Sequence, residues 1–194
     1  MTTLTAARIL SARVLLRPAQ DSDRNGIVEI MTDPEVRAHL GGPHPRDAVE
    51  SFLDSAGVPA VTGPGAYVIA DLATDRFLGT LTLDRRAPGR PGHLTEEGGE
   101  LELSYVLRRT AWGAGLAFEA ATAALRAAAG ELPDQPVLVV TQTANERSMR
   151  LAALLGFRPA GTFEEFGAEQ TLAVAALGGV RLRVTAGPSG GGCR

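Results

Sequence analysis

The spacing of apolar residues changes along the chain, from a helical period in the first third to strict alternation after residue 66. A short strand is predicted at residues 14–17, where Pro18 ends it. Helical spacing predicts three helices in this part, which begin near Asp21, Pro34 and Pro45. The third helix is expected to end before Gly57 and to include Phe52 on its buried side.

Beyond residue 66 the pattern predicts strands that are interrupted by two helices. One helix follows Gly115 and is expected to stop at Gly130, and the other spans residues 145–155. A loop at residues 85–99, rich in Pro, Gly and Arg, indicates either substrate contact or mobility. Strands are predicted at 66–70, 77–83, 100–107, 137–140, 160–166 and 171–184, with turns at Thr74–Asp75 and at Gly178–Gly179.

Helices followed by a strand meander, and then by alternating strands and helices, are typical of an α/β (α+β) domain with a partly antiparallel sheet. With 194 residues, the chain has room for one such domain, which is expected to span residues 1–186. Residues 187–194 are mostly glycine and are expected to form a disordered tail.

The composition excludes several classes of function. A net charge of −3 disfavours a nucleic-acid-binding scaffold, and the arginines of the 85–99 loop are only a weak argument for RNA. All 19 cationic residues are arginine, which excludes a lysine Schiff base or a phosphate-binding lysine. The single Cys193 fits a reducing cytoplasm, and no apolar run is long enough for a membrane span. The three histidines are too scattered to predict a metal site.

The segment at residues 108–130 carries the main functional signal. Gly113 and Gly115 stand directly before a helix, so free backbone N–H groups and the positive end of the helix dipole meet at one place. Such a place can hold a phosphate group. The third glycine of a dinucleotide fingerprint is missing, which disfavours a nicotinamide-dependent oxidoreductase.

Six segments in unbroken order extend this signal over about residues 13–166. The segments are Val14–Pro18, Asp33–Val36, Phe77–Thr80, Leu101–Tyr105, Trp112–Ala117 and Thr143–Phe157. Together they resemble the GNAT acyltransferases and, within that superfamily, the RimJ/RimL-like branch of ribosomal-protein N-acetyltransferases.

The resemblance implies a GNAT fold, with a mostly antiparallel sheet, helices on both faces, and two central strands that splay to admit acetyl-CoA. Those strands would be residues 100–107 and 136–141. The loop departs from the usual family pattern at Thr110, so Arg108 and Arg109 are the candidates to supply positive charge. The implied cofactor-binding residues are Leu107, Arg108, Arg109, Trp112, Gly113, Ala114, Gly115, Leu116, Ala117 and Asn145.

The resemblance also suggests catalytic residues. Glu102 matches an acidic residue that many relatives carry on this strand, and could act through water as a general base. A place on the solvent face or a salt bridge to an arginine is the alternative, and Glu100 is the fallback. Ser148 would lie near the thioester sulfur, whereas helix capping is the simpler role for Asn145 and Ser148.

The predicted function is direct transfer of an acetyl group from acetyl-CoA to a primary amine in a ternary complex, without a metal. The acceptor is either a peptide α-amino group or a small amine, and no nucleic-acid or membrane partner is expected. A non-catalytic acyl-CoA-binding or regulatory module is the alternative. The strand-rich C-terminal segment could also pair across a homodimer.

Overall fold

The computed structural model describes residues 3–179. Within that range eight strands form one sheet, in the order β1-β2-β3-β4-β5-β6-β8-β7. The strands are β1 (Ile9–Leu10), β2 (Val14–Arg17), β3 (Ala66–Asp71), β4 (Phe77–Arg85), β5 (Leu101–Leu107), β6 (Pro136–Gln142), β7 (Arg158–Glu165) and β8 (Ala168–Ala176). The helices of the same range are α1 (Arg24–Thr32), α2 (Arg46–Ala56), α3 (Leu116–Glu131) and α4 (Glu146–Leu155), with single 3₁₀ turns between some elements.

The sheet is antiparallel except at its centre, where β5 and β6 run parallel. Alternate residues of the strands point to opposite faces, so each face carries its own apolar core. Tyr67 and Ile69 of β3 join the core under α3 and α4, whereas Val68 and Ala70 join the core under α1 and α2. The predicted α/β architecture, with a mostly antiparallel sheet and helices on both faces, is confirmed.

Three local predictions about helices are wrong. The chain after Pro34 forms consecutive turns instead of a helix, because the glycines at 41 and 42 take positive φ and leave too few residues to propagate one. Phe52 is 52% exposed, and α2 buries only Val49 and Leu53. Helix α3 continues through Gly130 to Glu131, where packing of Ala128 and Leu132 in the core outweighs the cost of an internal glycine.

The last hairpin turns at Phe166 and Gly167, which both have positive φ. Strand β8 then ends at Ala176, and a 3₁₀ turn spans Leu177–Gly179 at the predicted break. The predicted continuation at 180–184 and the tail at 187–194 lie outside the described residues. No helix within residues 3–179 is both long enough and apolar enough to cross a membrane.

Candidate functional site

A wedge-shaped gap lies between the two central strands. Leu101 pairs with Val137 and Glu102 with Leu138, but beyond these pairs β5 bonds only to β4, and β6 only to β8. The gap therefore opens immediately after Glu102 and widens toward the carboxyl ends of both strands. This separation confirms that the central strands splay where the sequence predicted it.

Two helices begin at the open end of the gap. Strand β5 leads through a short turn and the glycine loop into α3, and β6 leads into α4. Gly113 and Gly115 have φ values of +77° and +74°, which side chains with a Cβ rarely adopt. Asn145 caps α4, because its Oδ1 accepts a hydrogen bond of 3.2 Å from the N–H of Ser148. The predicted capping role of Asn145 is confirmed.

The loop before α3 presents a run of unused donors. Within the described part of the chain, the backbone N–H groups of residues 113–118 donate to no acceptor, and the first bonded one is that of Glu119, at 3.1 Å from the carbonyl oxygen of Gly115. Six consecutive open N–H groups at the positive end of a 16-residue helix suit an anion. The residues Gly113, Ala114, Gly115, Leu116 and Ala117, which were predicted to hold phosphate, all belong to this run.

The two arginines that were expected to supply charge here have other partners. Arg108 forms an ion pair with Glu29 of α1, and Arg109 lies 2.9 Å from the carboxylate of Glu35. Leu107 is buried, and its carbonyl oxygen accepts a 2.8 Å hydrogen bond from the indole of Trp112. Trp112 therefore packs the loop against the end of β5.

Tyr105 and Ser148 meet across the gap. The phenol oxygen of Tyr105, on β5, is 2.9 Å from the Oγ of Ser148 in the first turn of α4. Burial raises the pKa of Tyr105, and the hydrogen bond to Ser148 opposes this only in part. Tyr105 is therefore a neutral phenol at neutral pH. The sequence motif indicated Ser148 but not its contact with Tyr105, since 43 residues separate the two.

A second contact spans the gap further out. The guanidinium of Arg147 lies over the ring of Trp112, 4.7 Å from its centroid. Arg147 stands in the first turn of α4, and Trp112 belongs to the loop before α3. A cation–π contact of this kind stabilises the approach of the two segments by about 0.5–1 kcal/mol at an exposed site. Sequence reasoning missed Arg147, although it lies two residues after Asn145.

Glu102 lies at the closed end of the gap, on the sheet face opposite Tyr105. One carboxylate oxygen accepts a 2.9 Å hydrogen bond from Arg86, whose side chain is fully buried. Arg86 also lies 3.8 Å from Glu165 on β7, and Arg90 approaches Glu102 at 4.0 Å. Within the described residues, the other oxygen of Glu102 accepts no hydrogen bond. The salt bridge considered as an alternative is thus present.

Glu100, the fallback base, is turned into the loop that precedes β5. Its oxygens accept hydrogen bonds from His93 Nδ1 at 2.7 Å and from the N–H groups of Leu94 and Thr95. Burial acts to raise the pKa of Glu100, but these hydrogen bonds outweigh it and lower the pKa. Both oxygens of Glu100 are therefore used to hold the loop, which makes Glu102 the better candidate.

The loop predicted at residues 85–99 spans residues 86–100 in the structure, and two of its arginines contact neighbouring side chains. Arg86 is buried beside the ring of Phe163, and Arg90 is paired with Glu165 at 3.2 Å. These contacts attach the loop to the hairpin of β7 and β8. Across residues 3–179, no three His, Cys, Asp or Glu side chains are arranged to hold a metal ion.

The chain matches a known family in sequence and superposes on several solved structures. Residues 13–158 match the family described as the acetyltransferase (GNAT) domain. A GNAT-family acetyltransferase from Bacillus anthracis superposes with a TM-score of 0.70 at 17% identity, over 88% of this chain and 99% of that one.

Two further solved structures have named activities. Spermidine N-acetyltransferase from Vibrio cholerae, solved with CoA and spermine, gives a TM-score of 0.66 at 15% identity, over 87% of this chain and 98% of that one. The ribosomal-protein α-N-acetyltransferase RimL gives 0.60 at 15% identity, over 87% and 93%. Likeness at these identities shows a shared fold.

Proposed function

Because the chain belongs to the GNAT acetyltransferase family, we propose that it is an acetyl-CoA-dependent N-acetyltransferase that acylates a primary amine by direct attack in a ternary complex. The observation that carries this proposal is the gap between β5 and β6, with six open N–H groups at its rim. An acyl donor with a diphosphate at one end and a long, narrow arm matches both features.

In the proposed complex, the diphosphate of CoA lies on the N–H groups of residues 113–118, and the pantetheine arm lies between the splayed strands. Asn145 stands beside that path. Its Oδ1 caps α4, while its amide Nδ2 donates to no acceptor within the described residues and is free for a pantetheine carbonyl. The pairing of Arg108 and Arg109 with carboxylates argues that the backbone supplies most of this grip.

Amide formation requires a base and an acid at the thioester. The amine nitrogen forms a bond to the thioester carbonyl carbon, the C–S bond breaks, and the proton of the amine must leave. Glu102, acting through one water molecule, is the proposed base, because one of its oxygens is free at the start of the gap. Ser148 is proposed to donate a proton to the departing thiolate and to recover one from Tyr105, at 2.9 Å.

The proposed acceptor is a primary amine, either a peptide α-amino group or a small amine. The two named structural neighbours act on one acceptor of each kind, a ribosomal protein and spermidine, and the resemblance to the RimJ/RimL branch adds to the first. We further propose a cytoplasmic location, which suits a chain with one cysteine. The homodimer remains a prediction, and β7 is the edge strand beside which a second chain could pair.

Isothermal titration with acetyl-CoA, followed by a thiol-release assay on a panel of peptides and small amines, tests the proposed function. We expect saturable binding at one site and CoA release that depends on an amine. Absence of acetyl-CoA binding would contradict the proposal. Tight binding without turnover on any amine would favour the non-catalytic acyl-CoA-binding module instead.

Ser148→Ala is expected to lower kcat about tenfold. The loss is modest because a thiolate is a moderately good leaving group and can depart without full protonation by an acid. Tyr105→Phe, which keeps the ring, is expected to lower kcat by a similar or smaller factor. The double variant should be no slower than Ser148→Ala, because the two hydroxyls act in series. Steady-state kinetics on the same amine measures all three.

Ser104→Ala is the matched control, since Ser104 is exposed on the neighbouring position of β5 and its hydroxyl has no hydrogen-bond partner among the described residues. Its kcat should equal that of the wild type. Multiplicative losses in the double variant, or an unchanged kcat in Ser148→Ala, would contradict the relay.

A further inference from the structure

The proposed diphosphate site needs a cation that its own loop does not provide. A diphosphate bridge carries two negative charges at neutral pH, while backbone N–H groups contribute only partial charges. Arg108 and Arg109 pair with Glu29 and Glu35, and within the described residues neither guanidinium contacts residues 113–118. A charge-assisted hydrogen bond from another arginine would be about twice as strong as one from a neutral donor.

Arg13, in the turn between β1 and β2, reaches this loop from 101 residues away. Its Nη1 donates a 3.1 Å hydrogen bond to the carbonyl oxygen of Ala114. Its Nη2 lies 3.8 Å from the position that a Cβ on Gly115 would take. Within the described residues this Nη2 donates to no acceptor, so its two N–H groups remain available beside the open backbone donors.

Glu119 holds the guanidinium in this place. Its Oε2 accepts a 2.7 Å hydrogen bond from the Nε of Arg13, and its Oε1 accepts hydrogen bonds from the hydroxyl of Ser11 and the N–H of Arg13. Burial acts to raise the pKa of Glu119, but these donors outweigh it and lower the pKa. Glu119 therefore stays ionised at neutral pH and orients the planar fork of Arg13.

We propose that Arg13 is a cofactor-binding residue, whose Nη2 donates to the diphosphate of CoA together with the backbone N–H groups of residues 113–118. This inference rests on the proposed function, since it assigns a further residue to the same cofactor site. Two of the three nitrogens of Arg13 are already engaged by Glu119 and Ala114, so little side-chain entropy is lost when the third binds phosphate. Gly115 lacks a side chain that would separate the two sets of donors.

Titration of wild type, Arg13→Gln and Arg13→Lys with CoA and with 3′-dephospho-CoA tests the proposal. We expect Arg13→Gln to raise the Kd of both compounds by about the same factor, about tenfold, because both carry the diphosphate. Arg13→Lys should lose less, because it keeps the charge but not the fork. Arg126→Gln is the matched control: Arg126 is exposed on the same helix, α3, and its Kd should be unchanged.

A purely structural role for Arg13 makes a different prediction. If Arg13 only anchored the turn to α3, Glu119→Gln would weaken CoA binding as much as Arg13→Gln does. If Arg13 contacts the diphosphate, Glu119→Gln keeps the cation and an amide oxygen that can still accept the hydrogen bond from its Nε, so its Kd should stay within about threefold of the wild-type value.

Three results would overturn the inference: a Kd for Arg13→Gln within twofold of wild type, a loss confined to CoA with its 3′-phosphate, or equal losses in Arg13→Gln and Glu119→Gln. If Arg13→Gln does not fold, Arg13→Lys decides, because a Kd equal to that of the wild type would show that the Nη2 contact is absent. Failure of the proposed function is distinguishable, since the wild type itself would then bind neither compound.

Discussion

Replacing Glu102 with glutamine is expected to lower kcat/KM at neutral pH by about 100-fold or more, because a positioned general base contributes 10²–10⁴-fold in typical enzymes. Glutamine keeps the shape of the side chain and an oxygen for the hydrogen bond from Arg86. Thiol-release kinetics at neutral pH measures this effect.

Glu165→Gln distinguishes a catalytic role of Glu102 from a role as the ionic partner of the buried Arg86. Glu165 also faces Arg86 and Arg90, but it lies on the hairpin of β7 and β8 and not at the opening of the gap. We expect it to keep kcat/KM within about threefold of the wild-type value. A turnover of Glu102→Gln within threefold of wild type, or equal losses in both variants, would show that Glu102 serves only as a partner of Arg86.

Asp23→Ala is expected to lower the free energy of unfolding by about 3 kcal/mol and Tm by about 10 °C. Arg17 and Asp23 are both 98% buried, and two hydrogen bonds of 2.7 and 3.0 Å join them. The substitution leaves Arg17 in the interior with only Asp75 as a charged partner. Thermal and urea unfolding, followed by circular dichroism, measure the loss.

Asp21→Ala is the control for this prediction, because Asp21 is exposed in the same short turn and has no ion-pair partner within the described residues. Its effect should stay within about 0.5 kcal/mol. In an Arg17→Met background, Asp23→Ala should cost much less, since no buried charge is then abandoned. An equal cost in both backgrounds would show that the loss comes from packing and not from the ion pair.

Local patterns were sufficient for most elements of the fold. Alternation predicted β5 and the hairpin at Thr74–Asp75, and Gly156 marked the end of α4, because each signal acts within a few residues. The predicted helix at Pro34 failed because its segment is too short to propagate one. Helix α3 passed through Gly130 because burial of Ala128 and Leu132 outweighs a local glycine penalty that is only about 1 kcal/mol.

The candidate site also combines features set by local sequence with features set by tertiary packing. The glycine loop, Asn145 and Ser148 are contiguous motifs, and their local roles in turns and capping follow from backbone conformation. The contacts between these groups do not follow from backbone conformation. Tyr105 contacts Ser148, and Arg147 lies over Trp112, because β5 and β6 separate and the starts of α3 and α4 lie side by side at the gap. Nothing in the sequence near Glu102 reveals that Arg86 is its partner.

The sequence by itself determined the family, most of the helices and strands and their order, and the loop with free donors before α3. Short-range steric rules and hydrogen-bonding rules govern those features, and they operate within one or two turns of chain. Only the tertiary structure decided where the charges go: Arg108 and Arg109 to carboxylates, Arg17 into the core, and Arg13 beside Gly115. An arginine side chain is long enough to reach several hydrogen-bond acceptors, and the tertiary structure determines which of them lies within hydrogen-bond distance.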